Sequence, residues 1–177
     1  DESGFEAVLR EAKRAGIPVI ISDRAVDVAD DTLWVTFMGS DFVEEGRRSA
    51  RWLVENYEKV KRADKSMDEV NIVELVGTVG SAPANDRYDG FREVLKDYPN
   101  FKILASQSAD FTRAKGKEVM EAFLKAHGDK IDVLYGHNDD SALGAIQSIA
   151  EAGYKPGVDI IIVSIDAVRG AFEAMVG

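Results

Sequence analysis

The stretch Val133-Leu134-Tyr135-Gly136-His137-Asn138-Asp139-Asp140 decides the fold. Its three leading apolar residues suit a short buried strand. Polar side chains then arrive together, and the Ala-rich run Ser141-Ala142-Leu143-Gly144-Ala145-Ile146 starts a helix at once. In an open α/β sheet the carboxyl end of such a strand is where ligands sit. Asn138 offers donors and an acceptor, whereas ionised Asp139 and Asp140 only accept. Asp140 also fits as a helix N-cap, so Asn138 is the ligand candidate here.

The same alternation runs outward on both sides. Toward the amino end, Phe5, Val8, Leu9 and Ala12 recur at helical spacing, and Gly16 with Pro18 punctuates the helix end. Residues 18–22 read as a buried strand that delivers Asp23 and Arg24. A forked Arg beside an acceptor suits vicinal hydroxyls or a carboxylate, although a salt bridge within the loop fits equally. Residues 33–37 read as a strand of β-branched and aromatic type. Ser40 or Asp41 then caps a helix buried along Phe42, Ala50, Leu53 and Tyr57, with Glu44 placed as in a capping box. Trp34 and Trp52 read as core residues.

Residues 59–69 carry dense charge and little apolar periodicity, which marks a lobe boundary or exposed linker. The division expected is therefore 1–68, a partial N-terminal lobe, and 69–177, a C-terminal lobe. Residues 70–77 form the next strand. The small-residue loop 78–83 leads into Asn85-Asp86-Arg87 and a helix with Phe91, Val94 and Leu95 inward. That loop has no GxGxxG and no Lys-Ser/Thr pair, so it is a weak phosphate cradle. Another strand, 101–105, leads to Asp110 and Phe111. Phe111 either stacks on a ligand or staples the following helix. Thr112 caps that helix, whose inward face is Gly116, Val119, Met120, Phe123 and Leu124. The last strand, 159–165, ends at Asp166, and a short helix follows over 170–175.

Composition bounds the function. The chain has 177 residues, 45% of them hydrophobic, so it buries a genuine core. A formal net charge of −10 argues against nucleic acid and against an anionic membrane surface. There is no cysteine, which excludes thiol catalysis, disulfides and thiolate metal sites. His127 and His137 lack an HxxxH spacing, and no metal or other cofactor is implied. No run of about 18 apolar residues is present, so no membrane insertion is expected. Both ends, at Asp1-Glu2-Ser3-Gly4 and Met175-Val176-Gly177, read as cuts within a longer chain.

Strand–helix alternation implies parallel βαβ units with right-handed crossovers. In that arrangement Asp23-Arg24, Arg87, Asp110-Phe111, Asn138-Asp139 and Asp166 all emerge on one side. The set mixes acceptors, forked donors, an amide and an aromatic. A sugar needs that mixture, because each hydroxyl donates and accepts while the ring's C–H face packs on an aromatic. A glycosidase would need two facing carboxylates, which spacing alone cannot pair among Asp23, Asp139 and Asp166. A nucleophile elbow is absent, and a magnesium site built on Asp139-Asp140 competes poorly with helix capping.

Several segments together carry a family resemblance: PVIISDR (18–24), VELVGTVGSAPANDRYDGF (73–91), SQSADFTRAKGKEVMEAFLKA (106–126), GHNDDSALGAIQSI (136–149) and SIDA (164–167). In these the chain resembles the periplasmic sugar-binding proteins of ABC importers, the ribose-binding, LacI-like type I group, and within it the galactofuranose-binding members. Only the charged stretch 59–69 is unlike. The resemblance implies a two-lobed type I periplasmic binding fold, α/β with parallel sheets flanked by helices, its first lobe incomplete. It implies no catalysis, a monosaccharide ligand (galactofuranose-like or another hexose or pentose), and ABC permease transmembrane subunits as partners. The implied location is periplasmic or extracellular, free or lipid-anchored. By motif, Asp23, Arg24, Arg87, Phe111, Asn138 and Asp166 match the family's ligand contacts. Two further strand–helix units are expected before this segment, and more chain after it. The alternatives are the effector domain of a LacI-type repressor, which shares the fold, and a sugar-processing enzyme.

Overall fold

The run Val70-Asn71-Ile72-Val73-Glu74-Leu75-Val76 alternates its side chains between two apolar layers, and this sets the architecture. In the computed structural model, which describes residues 2–176, this run is β3 (Val70–Val76). Asp1 and Gly177 lie outside the described residues. Val70 and Ile72 face one layer, and Val73 and Leu75 face the other; all four are fully buried. A strand buried on both faces is the mark of a parallel sheet sandwiched by helices. β3 pairs in parallel with β4 (Phe101–Ser108) and β5 (Val133–Gly136), and β5 pairs in parallel with β6 (Ile161–Val163). The sheet order is β4-β3-β5-β6. A separate pair joins β1 (Ile20–Ser22) to β2 (Thr36–Met38), also in parallel.

Two helices cover each face of the larger sheet. On one side lie α2 (Phe42–Val60) and α3 (Ala82–Leu95), packed through Ala50, Leu53, Tyr57 and Phe91 onto Val70, Ile72, Val133 and Tyr135. On the other lie α4 (Arg113–His127) and α5 (Asp139–Glu151), through Val119, Met120, Phe123, Ala145 and Ile149. The larger of these, such as Leu53, Phe91, Val119 and Ile149, each contribute about 1.5–3 kcal/mol by leaving water. Helix α1 (Glu6–Arg14) precedes β1, and α6 (Arg169–Val176) follows β6.

The helix pairs touch backbone to backbone. A Cβ on Gly90 would lie 2.0 Å from the Val43 carbonyl oxygen, and one on Gly46 would lie 2.4 Å from that of Arg87. The α4–α5 pair repeats the device through Gly116 against Ser141 and Gly144 against Arg113. Glycine is required at these positions because nothing larger fits.

Three expectations change. The strand expected at 33–37 starts later, because Asp30 accepts from the Thr32 N–H and hydroxyl and winds Asp31–Leu33 into a 3-10 turn. Trp52 is not core; it is 45% exposed on α2. The charged stretch 59–69 is no free linker. It completes α2 and then docks on the larger sheet, with Lys65 Nζ 2.7 Å from Asp132 and Arg62 2.7 Å from Asp159. The apolar packing therefore changes hands earlier than 68, since α2 shares its core with β3 and α3. The α1–β1–β2 part is thin: Leu9 and Leu33 are buried, but Phe5, Val8, Ile20 and Phe37 are exposed.

Candidate functional site

Parallel pairing puts the carboxyl ends of the strands on one side of each sheet, and the backbone there is unusual. Among the described residues, the non-glycine positions with positive φ are Asp23, Asp110, Phe111, Asp166 and Ala167. They follow β1, β4 and β6 directly. Such backbone persists only where surrounding structure over-determines it, and it gathers at ligand sites.

Phe111 sits at the centre. Its ring lies over Gly77, just past β3, where an added Cβ would fall 2.0 Å from the ring. Two guanidinium groups flank it: Arg24 Cζ lies 5.8 Å from the ring centroid and Arg87 Cζ lies 5.9 Å away. Arg24 comes from the β1–β2 part and Arg87 from the larger sheet's α3, so the ring marks where the two parts meet. Arg24 is half-exposed, and its Nε stands 3.9 Å from an Asp23 carboxylate that is largely in solvent. That distance leaves the Arg24 fork open to another acceptor. The Asp23 N–H donates to Met38, which ties this pair to the end of β2.

Arg87 is the opposite case. Its side chain is only 7% exposed, and its donors are engaged by protein. Nε donates to Glu45 at 2.8 Å, Nη1 to the His137 carbonyl at 2.7 Å, and Nη2 to Asp166 at 3.3 Å. Nη2 also lies 2.8 Å from Glu45. Phe42 covers the guanidinium from another direction, with Cζ 5.2 Å from its ring centroid. Burial pushes the Asp166 carboxyl above its ordinary range; Arg87 opposes this, and the nearby Asp139 and Glu45 charges reinforce it.

Asn138 is buried and already employed. Its Oδ1 accepts from the Ser141 N–H at 3.1 Å and so caps α5, while Nδ2 donates to the Phe111 carbonyl at 3.1 Å. Asn138, not Asp140, is the cap; Asp140 pairs with Arg113 at 2.7 Å. The second Nδ2 hydrogen can serve another acceptor. Asp139 is also structural. It is buried, accepts from the Ser164 hydroxyl, and takes the Val168 N–H at 2.8 Å, which shapes the turn carrying Asp166.

Behind the site lies a buried polar network that local sequence patterns do not reveal. Glu74 is fully buried on β3 and receives the Arg92 fork at 2.7 and 2.8 Å, the Ser106 hydroxyl, and His137 Nε2 at 3.1 Å. Burial pushes Glu74 up, but the Arg92 and His137 bonds outweigh it and hold the carboxyl at about 2. Burial pushes His137 down, against the pull of Glu74. A neutral His137 thus donates from Nε2 to an ionised Glu74. Thr78 adds a bond to Asp110 at 2.6 Å, tying the loop after β3 to the turn after β4.

The six residues singled out in the sequence all lie at this end of the molecule. Arg24, Arg87, Phe111, Asn138 and Asp166 form a chain of contacts, and Asp23 stands at its exposed edge. Glu45, Phe42 and Gly77 belong beside them. Their pairings span dozens of residues, so no local pattern announces them.

Known proteins share this architecture. Residues 1–176 match the family described as "Periplasmic binding protein domain". The galactofuranose-binding protein YtfQ of Escherichia coli is 49% identical over 175 residues, covering 98% of this chain and 52% of that protein. The ribose import binding protein RbsB of Bacillus subtilis is 30% identical, covering 99% of this chain and 51% of its own. A crystal structure of a galactofuranose binding protein superposes with a TM-score of 0.92 at 49% identity, over 98% of this chain and 57% of that one. The binding component of the arabinose transporter of Shewanella sp. ANA-3, bound to L-arabinofuranose, gives 0.90 at 51% identity, over 98% and 55%. The chain spans about half the length of the curated relatives it matches. The α/β architecture and the match along nearly its whole length show that this chain belongs to the periplasmic binding protein family.

Proposed function

We propose that the chain supplies the greater part of a sugar-gripping cleft in the substrate-binding component of an ABC importer. The observation that carries this reading is the Phe111 ring held between two guanidinium forks from different parts of the molecule. A ring platform packs on the C–H face of a sugar, and forked donors and carboxylates pair its hydroxyls. In this reading Asp23 and Arg24 grip from the first lobe. Arg87, Phe111, Asn138 through its second Nδ2 hydrogen, and Asp166 grip from the second. The ligand class is a neutral monosaccharide of galactofuranose or arabinofuranose type, as bound by the relatives named above. No step of chemistry is assigned to any residue.

The lobe boundary belongs at 39–41 in this proposal, between the thin β1–β2 part and α2. Ligand closes the lobes by its differential affinity for the closed state, and the closed form is what an ABC permease engages outside the cytoplasmic membrane.

The test is a thermal-shift panel on the full chain with galactose, arabinose, ribose, fructose, glucose and xylose, alongside Arg24→Ala. A ligand that binds only the native state adds about 4 kcal/mol of stability at a thousandfold excess over Kd. A shift with one or two sugars, weakened tenfold or more in Arg24→Ala by loss of a charged hydrogen bond worth about 1.5–3 kcal/mol, is expected. No shift with any sugar would remove the reading.

A further inference from the structure

We infer that Glu45 is a specificity-determining residue: it neutralises Arg87 from within the protein, so that the site accepts neutral sugars and rejects sugar acids and sugar phosphates. The inference rests on the sugar-binding reading above and deepens it.

Arg87 looks like an anion receptor when only the cleft is considered, because a buried guanidinium is a strong partner for carboxylate or phosphate. Its surroundings cancel that role. Glu45 stands 2.8 Å from both Nε and Nη2, and Asp166 stands 3.3 Å from Nη2. Phe42 and Phe111 lie against the guanidinium, and the His137 carbonyl takes Nη1. The group therefore meets a ligand as a hydrogen-bond donor and not as a net cation. An arriving anion would also meet Asp166 beside Arg87, while the Arg24 guanidinium across the Phe111 ring stands beside its own Asp23 carboxylate.

Glu45 has no comparable local duty. Its neighbour Glu44 spends its carboxylate on the same helix, at 2.5 Å from Arg51 and 3.2 Å from Arg48. Glu45 instead reaches 42 positions along the chain to Arg87. The helix is capped without it, since Asp41 accepts from the Glu44 N–H. The charged and titratable groups facing Arg87 are thus Glu45 from α2, Asp166 after β6 and, beyond Asp166, Asp139 of α5.

The test compares wild type, Glu45→Gln and Glu45→Asp in the full chain by isothermal titration. The probes are galactose with galacturonate and ribose with ribose 5-phosphate. The expected result is a gain of about tenfold or more in the anionic-to-neutral affinity ratio for Glu45→Gln, with Glu45→Asp staying close to wild type because it keeps the charge. A ligand-free readout accompanies it: carboxyl NMR should show the Asp166 titration midpoint moving down in Glu45→Gln, since one repelling charge has gone. If wild type binds a neutral sugar and both the ratio and the Asp166 midpoint stay fixed in Glu45→Gln, the inference is wrong and the sugar reading stands. If wild type binds no neutral sugar, the sugar reading falls and takes the inference with it.

Discussion

Glu74 and His137 are the buried pair through which acid should act most strongly on stability. Glu74 is held at about 2, below its ordinary 4.5, and His137 is also held below its ordinary value. In both cases the unfolded chain binds protons more readily than the folded one, so stability rises with pH. The loss on acidification begins as unfolded His137 takes up a proton, near pH 6.5, and steepens from about 4.5 toward 2 as Glu74 protonates. Glu74→Gln should flatten the lower limb of a urea-midpoint-against-pH profile. At pH 7 it should cost about 1.5–3 kcal/mol, because the partly exposed Arg92 loses its carboxylate partner. An unchanged acid limb would mean that other carboxylates govern it. This pair also shows what single residues disclose in a sequence. Strand-end position put Arg24, Phe111, Asn138 and Asp166 forward with Arg87 on the helix after β3, but left Arg24 and Phe111 open between ligand and structural roles until the family motifs were matched. It could not reveal that Asn138 spends its amide oxygen on capping α5, or that Arg87 answers to Glu45. Those facts come from partners far along the chain, and local pattern carries no information about them.

At the scale of elements, the glycine crossings hold Arg87 in register. Gly90 stands one turn beyond Arg87 on α3 and against the Val43 carbonyl of α2, the helix that carries Glu45. Gly90→Ala must push the helices apart, at about 1–3 kcal/mol. The calorimetric Tm should fall by roughly 2–4 °C for each kcal/mol, and sugar affinity should fall with it because Glu45 and Arg87 separate. Gly144→Ala on α5 should lower Tm similarly while leaving the Glu45–Arg87 pair alone. Equal affinity loss in both variants would show that the α2–α3 spacing has no special hold on Arg87. Most elements were legible because periodicity, caps and breakers agree: Asp41 and Thr112 cap as expected, and Gly16 ends α1. The strand at 33–37 was misplaced because Asp30 folds back onto Thr32, a side-chain turn that competes with the β-branched pattern.

For the whole molecule, the decisive contrast is between an eight-element α/β body, four strands and four covering helices with two full apolar layers, and a two-stranded part with almost none. The charge density of 59–69 suggested a boundary because solvated runs usually separate domains, yet here Arg62 and Lys65 dock on Asp159 and Asp132. In the division proposed above, apolar packing and not charge sets the boundary, because the buried face of α2 shares its core with β3 and α3, a long-range property that the α2 sequence states only through that face. An isolated two-stranded sheet is marginal in water, and β1 is exposed on Ile20 while β2 is exposed on Phe37 and Met38. Native-state hydrogen exchange on the 177-residue chain should therefore separate the two parts. Amides of β3 and β5 should exchange only through global unfolding, whereas those of β1 and β2 should open locally at a much lower free energy. Adding a sugar that binds should raise protection at β1 and β2 most, because Arg24 lies in the loop directly after β1 and must be ordered to grip. Uniform protection across both sheets would mean that the β1–β2 part is already locked to the larger body. The site would then be a rigid pocket and not a closing cleft.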